Sequence, residues 1–122
     1  MACMYSEHDS APVVEIRVVG RVTEHDMDEI LPKLEAFIRK HGKIRMIEVV
    51  ERFDGFDPIT ILDGMKFDIK HMTDVSHVAF VSDIPWISFL TGAVAAVSPV
   101  VLRTFSENEL EAARAWALEP EG

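Results

Sequence analysis

SDIPWISFLTGAVAAVSPVVLRTF, residues Ser82 to Phe105, is the stretch whose reading decides the fold, because from Ile84 to Leu102 it carries 19 consecutive positions without a charged side chain. Three structures accommodate such a run: a membrane span, a buried core helix, or a helix that greases a binding site. A span needs about 20 apolar residues of continuous helix to cross roughly 30 Å of hydrocarbon. Pro85 fits the first turn of a helix, but Pro99 has no N–H for a helix interior and stops the helix near Val97. About 13 residues remain, or roughly 20 Å at 1.5 Å per residue. The run therefore divides into a short helix, Ile84 to Val97, and a strand built on VVLRTF, whose apolar start is expected from burial in a sheet.

Within that helix Ser88, Thr91, Ala95 and Ser98 share one narrow stripe, and large apolar side chains such as Trp86, Phe89, Leu90 and Val94 fill most of the rest. A helix on a sheet ordinarily buries one stripe and charges the opposite side. This one has no charged side, so more than a sheet face is expected to cover it: a neighbouring element, a second copy of the chain, a lipid-like ligand or a membrane surface.

Working outward, HVAFVS (His77 to Ser82) is apolar without alternation, as a strand covered on both faces is. VVEIRVVG (Val13 to Gly20) and KIRMIEVV (Lys43 to Val50) are two further strands, rich in β-branched residues. Thr23 offers a cap to a helix that carries Met27, Ile30, Leu31, Leu34, Phe37 and Ile38 at helical spacing and ends at Gly42; Pro32 suggests a late start or a bend. ERFDGFDP reads as a loop in which Asp57-Pro58 caps a second helix, with Leu62, Met65, Ile69 and Met72 on one face. Asp83 reads as the N-cap of the uncharged helix. Ser106 and Glu109 form a capping box for a last helix, Glu107 to about Leu118. Strands alternating with helices predict a single α/β domain over residues 1–122, with a mainly parallel sheet of four to five strands flanked by four helices on its two faces. Residues 1–12 are a short antiparallel edge strand, Cys3 to Tyr5, or a tail.

Composition bounds the function. The net charge of −9 disfavours phosphate backbones, so no nucleic acid partner is expected. Cys3 is the only cysteine, which excludes an intrachain disulfide and makes the reducing cytoplasm the expected compartment. MACMYSEHDS has neither the basic nor the apolar region of a signal peptide. The six glycines never form a phosphate-binding loop and the five histidines show no metal-ligand spacing, so no cofactor and no metal are expected. Asp68 and His71 stand one helical turn apart, a carboxylate–imidazole pair without a nucleophile, for which a solvated helix face is the simpler account. Arg39, Lys40, His41, Lys43 and Arg45 form the basic cluster, read as charges complementing a helix C-terminus rather than as an anionic-lipid contact.

GRVTEHDMDEILPKLEAFIRKHGKIRMI (Gly20 to Ile47), LDGMKFDIKHM (Leu62 to Met72) and VAFVSDIPW (Val78 to Trp86) together resemble the bacterial SpoIIAA-like family of small stand-alone proteins. The resemblance covers nearly the whole chain. It implies a fold shared with STAS domains and with lipid-carrying CRAL-TRIO domains, with helices flanking a sheet and one of them mobile. STAS anti-sigma-factor antagonists carry a phosphorylatable serine in a turn after a strand. Here that turn reads ERFDGFDPIT, with Thr60 the nearest hydroxyl, and His77 stands where the family usually has an arginine.

Residues and resemblance together predict a non-enzymatic cytoplasmic protein that binds a hydrophobic or lipid-like ligand, with reversible membrane association through the helix 84–97. Trp86, Phe89 and Leu90 are the candidate apolar contacts, and Asp83, Lys66 and His71 the candidate polar ones. A homodimer is expected to cover what remains of the helix. The alternative is a protein-interaction regulator resembling anti-sigma-factor antagonists, acting through the second helix and the loop before it.

Overall fold

The computed structural model describes residues 2–8, 10–71 and 73–119, without the side chains of residues 61, 65, 68 and 69. Five strands form one sheet in the order β1-β2-β3-β4-β5: β1 Cys3–Glu7, β2 Val13–Val22, β3 Ile44–Phe56, β4 Val75–Val81 and β5 Val101–Phe105. β1 runs antiparallel to β2 and the other pairings are parallel, so the sheet is mixed. The helices are α1 Glu24–His41, α2 Pro58–His71, α3 Pro85–Ala95 and α4 Leu110–Leu118, the last preceded by a short 3₁₀ turn, Glu107–Glu109.

Successive strand residues point to opposite faces. Val13, Ile47, Val49, Ala79, Val81 and Phe105 therefore form one core with Ala113 and Ala117 of α4. Val14, Met46 and Val78 form the other with Leu34, Phe37 and Ile38 of α1. The two-faced α/β arrangement and the edge strand at the N-terminus stand as expected, and β1 extends two residues beyond Tyr5.

Several local expectations are corrected. Pro32 neither delays nor ends α1, which runs unbroken from a Thr23–Asp26 capping box, because the proline lies on the exposed side where the carbonyl it leaves unpaired meets water. ERFDGF is strand rather than loop: β3 continues to Phe56 because β2 continues beside it, pairing Gly20 with Phe53 and Val22 with Phe56. Gly55, at φ 108, supplies a backbone conformation closed to other residues near the end of that extension. Asp57 precedes α2, but its carboxylate turns to α1 and β2. Oδ2 accepts from the Glu24 N–H at 3.3 Å and Oδ1 accepts from Arg21 Nε at 2.9 Å. The Arg21 hydrogen bond holds the Asp57 carboxyl below its usual range.

Pro99 does separate helix from strand, with α3 ending at Ala95 and β5 starting at Val101. The reason given for the apolar strand is overturned. β5 is the edge of the sheet and Val101 is exposed, so burial inside the sheet does not account for its lack of charge. Asp83 does not cap α3 either; Ile84 holds that position without a side-chain hydrogen bond, and Asp83 Oδ1 instead accepts from the Glu107 N–H at 3.0 Å. The Ile84 N–H is taken by Ser82 Oγ at 3.2 Å, whose hydroxyl donates to Val50 O. The pair Leu62 and Met65 with Ile69 and Met72 rests partly on residues outside those described. No described helix is long and apolar enough to cross a membrane.

Candidate functional site

α2 packs on α1 more than on the sheet, and α3 overhangs the edge strand. Between them the sheet face carrying Ile16, Met46, Val78, Phe80 and Leu102 is left without a complete cover. The result is a partly open cavity of about 610 Å³. Its floor is that sheet face; Ile30, Leu34 and Phe67 of the first two helices wall one side, and Val94 with the segment Val97 to Val100 closes the other. The volume lies in the range typical of small-molecule sites, roughly 300 to 1,000 Å³, and the lining has their apolar character.

Among the described lining residues three can ionise: Cys3, Glu48 and His71. Cys3 on β1 is buried, and its thiol is pushed up to about 11, first by burial and then by the negative charges of Asp26 and Glu48. It is therefore held as a neutral thiol rather than a nucleophile. Glu48 stands on the floor between Ile16 of β2 and Phe80 of β4 in the strand register. His71, at the C-terminal end of α2, packs its ring on Phe67 with 4.6 Å between centroids. Its Nδ1 lies 2.8 Å from Asp74 Oδ2 and its Nε2 lies 3.2 Å from Glu35 Oε1, so two carboxylates fix its ring at the cavity wall. The His71 and Lys70 hydrogen bonds hold the Glu35 carboxyl below its ordinary range.

The six sequence-designated residues are not brought together. His71 lines the cavity. Lys66 lies in a shallow groove between α1 and α2, beside Asp63 and Glu35, which shares Met27, Leu31 and Phe67 with the cavity. Trp86 and Leu90 are half-exposed and Phe89 is 81% exposed, all on the outer side of α3; Trp86 meets Phe53 edge-on with 5.6 Å between centroids. Asp83 serves the 3₁₀ turn. From α3 and the turn that follows it, Val94 and Val97 reach the cavity rim.

Of the stripe Ser88, Thr91, Ala95 and Ser98, Thr91 is buried and donates to Ile87 O at 2.7 Å, Ala95 and Ser98 are half-buried, and Ser88 is exposed. The basic cluster dissolves into local roles: Arg45 Nη1 donates to the carbonyls of Ala117 and Leu118 at 2.7 and 2.8 Å, closing the C-terminus of α4, while Arg39, Lys40, His41 and Lys43 stay exposed. Asp68's side chain lies outside those described, and its expected pairing with His71 lies there with it; among the described residues Asp74 and Glu35 hold the imidazole. Thr60 is 2% exposed and its hydroxyl donates to Asp57 O at 2.6 Å, which removes the one hydroxyl near the STAS phosphorylation position from the surface. Glu48 was readable in the sequence as the charged residue at an inward phase of KIRMIEVV, flanked two residues away by Met46 and Val50.

The SpoIIAA-like family model matches residues 13–118. Among solved structures, an uncharacterized protein of the DUF3478 family from Shewanella loihica PV-4, described as having a SpoIIAA-like fold, superposes with a TM-score of 0.77. It shares 20% sequence identity, over 95% of this chain and 92% of that one. No curated protein matches the sequence.

Proposed function

This chain belongs to the SpoIIAA-like family, and on that premise we propose that it is a non-enzymatic binding protein for a hydrophobic or lipid-like molecule. The observation that carries the reading is the 610 Å³ apolar cavity, bounded on one side by a helix that has no charged residue. A partner that fills an apolar hollow of this size gives each lining side chain contacts it does not make with water-filled space. The ligand enters between α2 and the C-terminal end of α3, where few packing contacts need to be broken. The outer face of α3, with Phe89 and Leu90 exposed, touches a membrane surface or a second copy of the chain reversibly while ligand is exchanged.

Native mass spectrometry of freshly purified protein, together with flotation on vesicles, tests the proposal. Bound apolar mass or flotation is the expected result; bare polypeptide and no flotation would sink it.

The alternative, a protein-interaction regulator resembling anti-sigma-factor antagonists, is favoured by the fold that the chain shares with its family. Burial of Thr60 means that such a regulator would not be switched by phosphorylation there. Recovery of a kinase-like partner on α2 and the β3 end, insensitive to Thr60→Val, would support this second reading.

A further inference from the structure

We propose that the outer face of α3 is covered by α3 of a second copy of this chain, the two helices lying antiparallel about a two-fold axis. The inference takes the two covers that the reading above leaves to this face, a membrane and a second copy, and decides for the copy. Ile87 and Thr91 fix the buried side of α3. Residues three and four apart share a helix face. On the side opposite Ile87 and Thr91, Trp86, Phe89, Ala93 and Ala96 follow one another at those spacings, all exposed, with Leu90 and Val97 beside them. These six residues expose on the order of 600 Å², as much as the largest apolar patch of a typical monomer. With a polar rim added, that is close to the roughly 800 Å² that each partner contributes to a standard interface.

The face is complementary to itself only when reversed. Its N-terminal half is bulky, with Trp86 and Phe89, and its C-terminal half is small, with Gly92, Ala93 and Ala96. A Cβ built on Gly92 would meet no described neighbour within 4 Å, so the helix surface there is bare. Small residues let a second helix approach closely. An antiparallel partner centred near Thr91 sets Phe89 on the partner's Ala93 and Trp86 on the partner's Ala96, and two-fold symmetry makes each contact twice. A parallel partner would set ring against ring and leave the small half empty.

Charge separates the copy from the membrane. α3 carries no charged residue, so two copies of a chain with a net charge of −9 meet here without burying a charge or opposing like ones. A helix that lies in a membrane interface presents Lys or Arg on its polar face, and α3 has neither. Its first turn has no acidic residue, its last turn no basic one, and Ile84 precedes it without a side-chain cap, so the helix dipole is not answered at either end from its own termini. Antiparallel pairing sets each N-terminal end beside the partner's C-terminal end.

Light scattering on a dilution series of the full chain is expected to give twice the chain mass at high concentration and the single mass on dilution. Phe89→Glu and Ala93→Lys, both at exposed positions, are each expected to weaken association at least about tenfold, because each puts two unpaired charges into the contact. An equimolar mixture of the two variants is expected to recover the double mass. The antiparallel register sets the two substituted positions opposite each other at one crossing and leaves the other crossing native. A native chain that keeps the single mass at every concentration, a dimer that both substitutions leave intact, or a mixture that does not recover overturns the inference. Both variants are expected to keep binding the uncharged apolar fluorophore N-phenyl-1-naphthylamine, because neither position lines the cavity. A native dimer that does not bind it overturns the cavity reading and leaves the dimer standing.

Discussion

Arg114 on α4 lays its guanidinium flat against Glu15 on β2, with Nε 2.8 Å from Oε1 and Nη2 2.9 Å from Oε2, a bidentate pair that joins residues 99 apart in the chain. The fork geometry matches a carboxylate at both oxygens, and the Glu15 side chain is only 11% exposed. Glu15 thus has its charge answered by the last helix. Replacing Arg114 by Met leaves a buried carboxylate without its main partner. The expected cost is about 1–2 kcal/mol, below the range for fully buried pairs because Arg114 keeps 30% of its side chain in water. Urea denaturation measures it as a lower midpoint at unchanged slope.

The same pair sets an acid limb of stability. The Arg114 hydrogen bonds hold the Glu15 carboxyl below its ordinary range. A depressed folded-state value contributes stability that is complete above the unfolded pKa, about 4.3, and is lost as pH falls through the folded one. Glu15→Gln is therefore expected to be less stable than the native chain near neutrality and to approach it as the pH drops below about 4. Thermal melts across that interval check it, and a difference that stays constant with pH would rule the pair out as the cause.

Cys3 gives a chemical readout of the same core. With its thiol pushed up to about 11 from an ordinary 9.0, the thiolate fraction at mildly alkaline pH is lowered about a hundredfold. Iodoacetamide is expected to alkylate the folded chain at least that much more slowly than the urea-unfolded chain. A folded rate close to the unfolded one would mean that the β1 end opens on the time scale of the reaction.

Much of this architecture was legible in the sequence, because the signals were local. Thr23, Gly42, Pro58 and Pro99 punctuate the elements by backbone chemistry that tertiary contacts do not override, and the alternation in VVEIRVVG set a strand. Several of the misreadings share one cause, which is that a side chain's partner can lie far away in sequence. Asp57 and Asp83 each precede a helix and looked like caps for it, yet they serve α1 and the 3₁₀ turn, 33 and 24 residues away. The extension of β3 to Phe56 depended on β2 continuing beside it. For the site, the charge-free helix does border the cavity, but which of its sides meets it depends on where α3 docks. The apolar ring residues that seemed the natural contacts face outward, and Val94 and Val97 face the cavity.

Gly64 offers a way to fill the cavity without disturbing its walls. It lies in α2 and lines the cavity, and among the described residues a Cβ there would meet the tip of Met27, at 3.9 Å. Gly64→Leu replaces the poorest ordinary helix former and projects a side chain into the vacant space, so stability should hold or rise by about 0.5–1 kcal/mol. Binding of the uncharged apolar fluorophore N-phenyl-1-naphthylamine should fall by at least about tenfold, as one lost pocket contact of 1.4 kcal/mol or more implies. A variant that is stabilised yet binds as before would place the binding site elsewhere.

Phe89 separates folding from docking on the outer face of α3. Its ring is 81% exposed, so Phe89→Glu removes almost no buried surface and should change the folding free energy by less than about 0.5 kcal/mol. If the face touches lipid, the same change introduces a charge where an apolar ring would enter the interface, and flotation with uncharged phosphatidylcholine vesicles should be lost. Uncharged vesicles are the fitting probe because the chain's net charge of −9 opposes an anionic surface. Light scattering on the same samples distinguishes the other cover: a particle mass that halves on substitution identifies the partner as a second copy. Flotation and mass both unchanged would show that Phe89 meets neither, and the exposed face of α3 would lose its part in the proposed function.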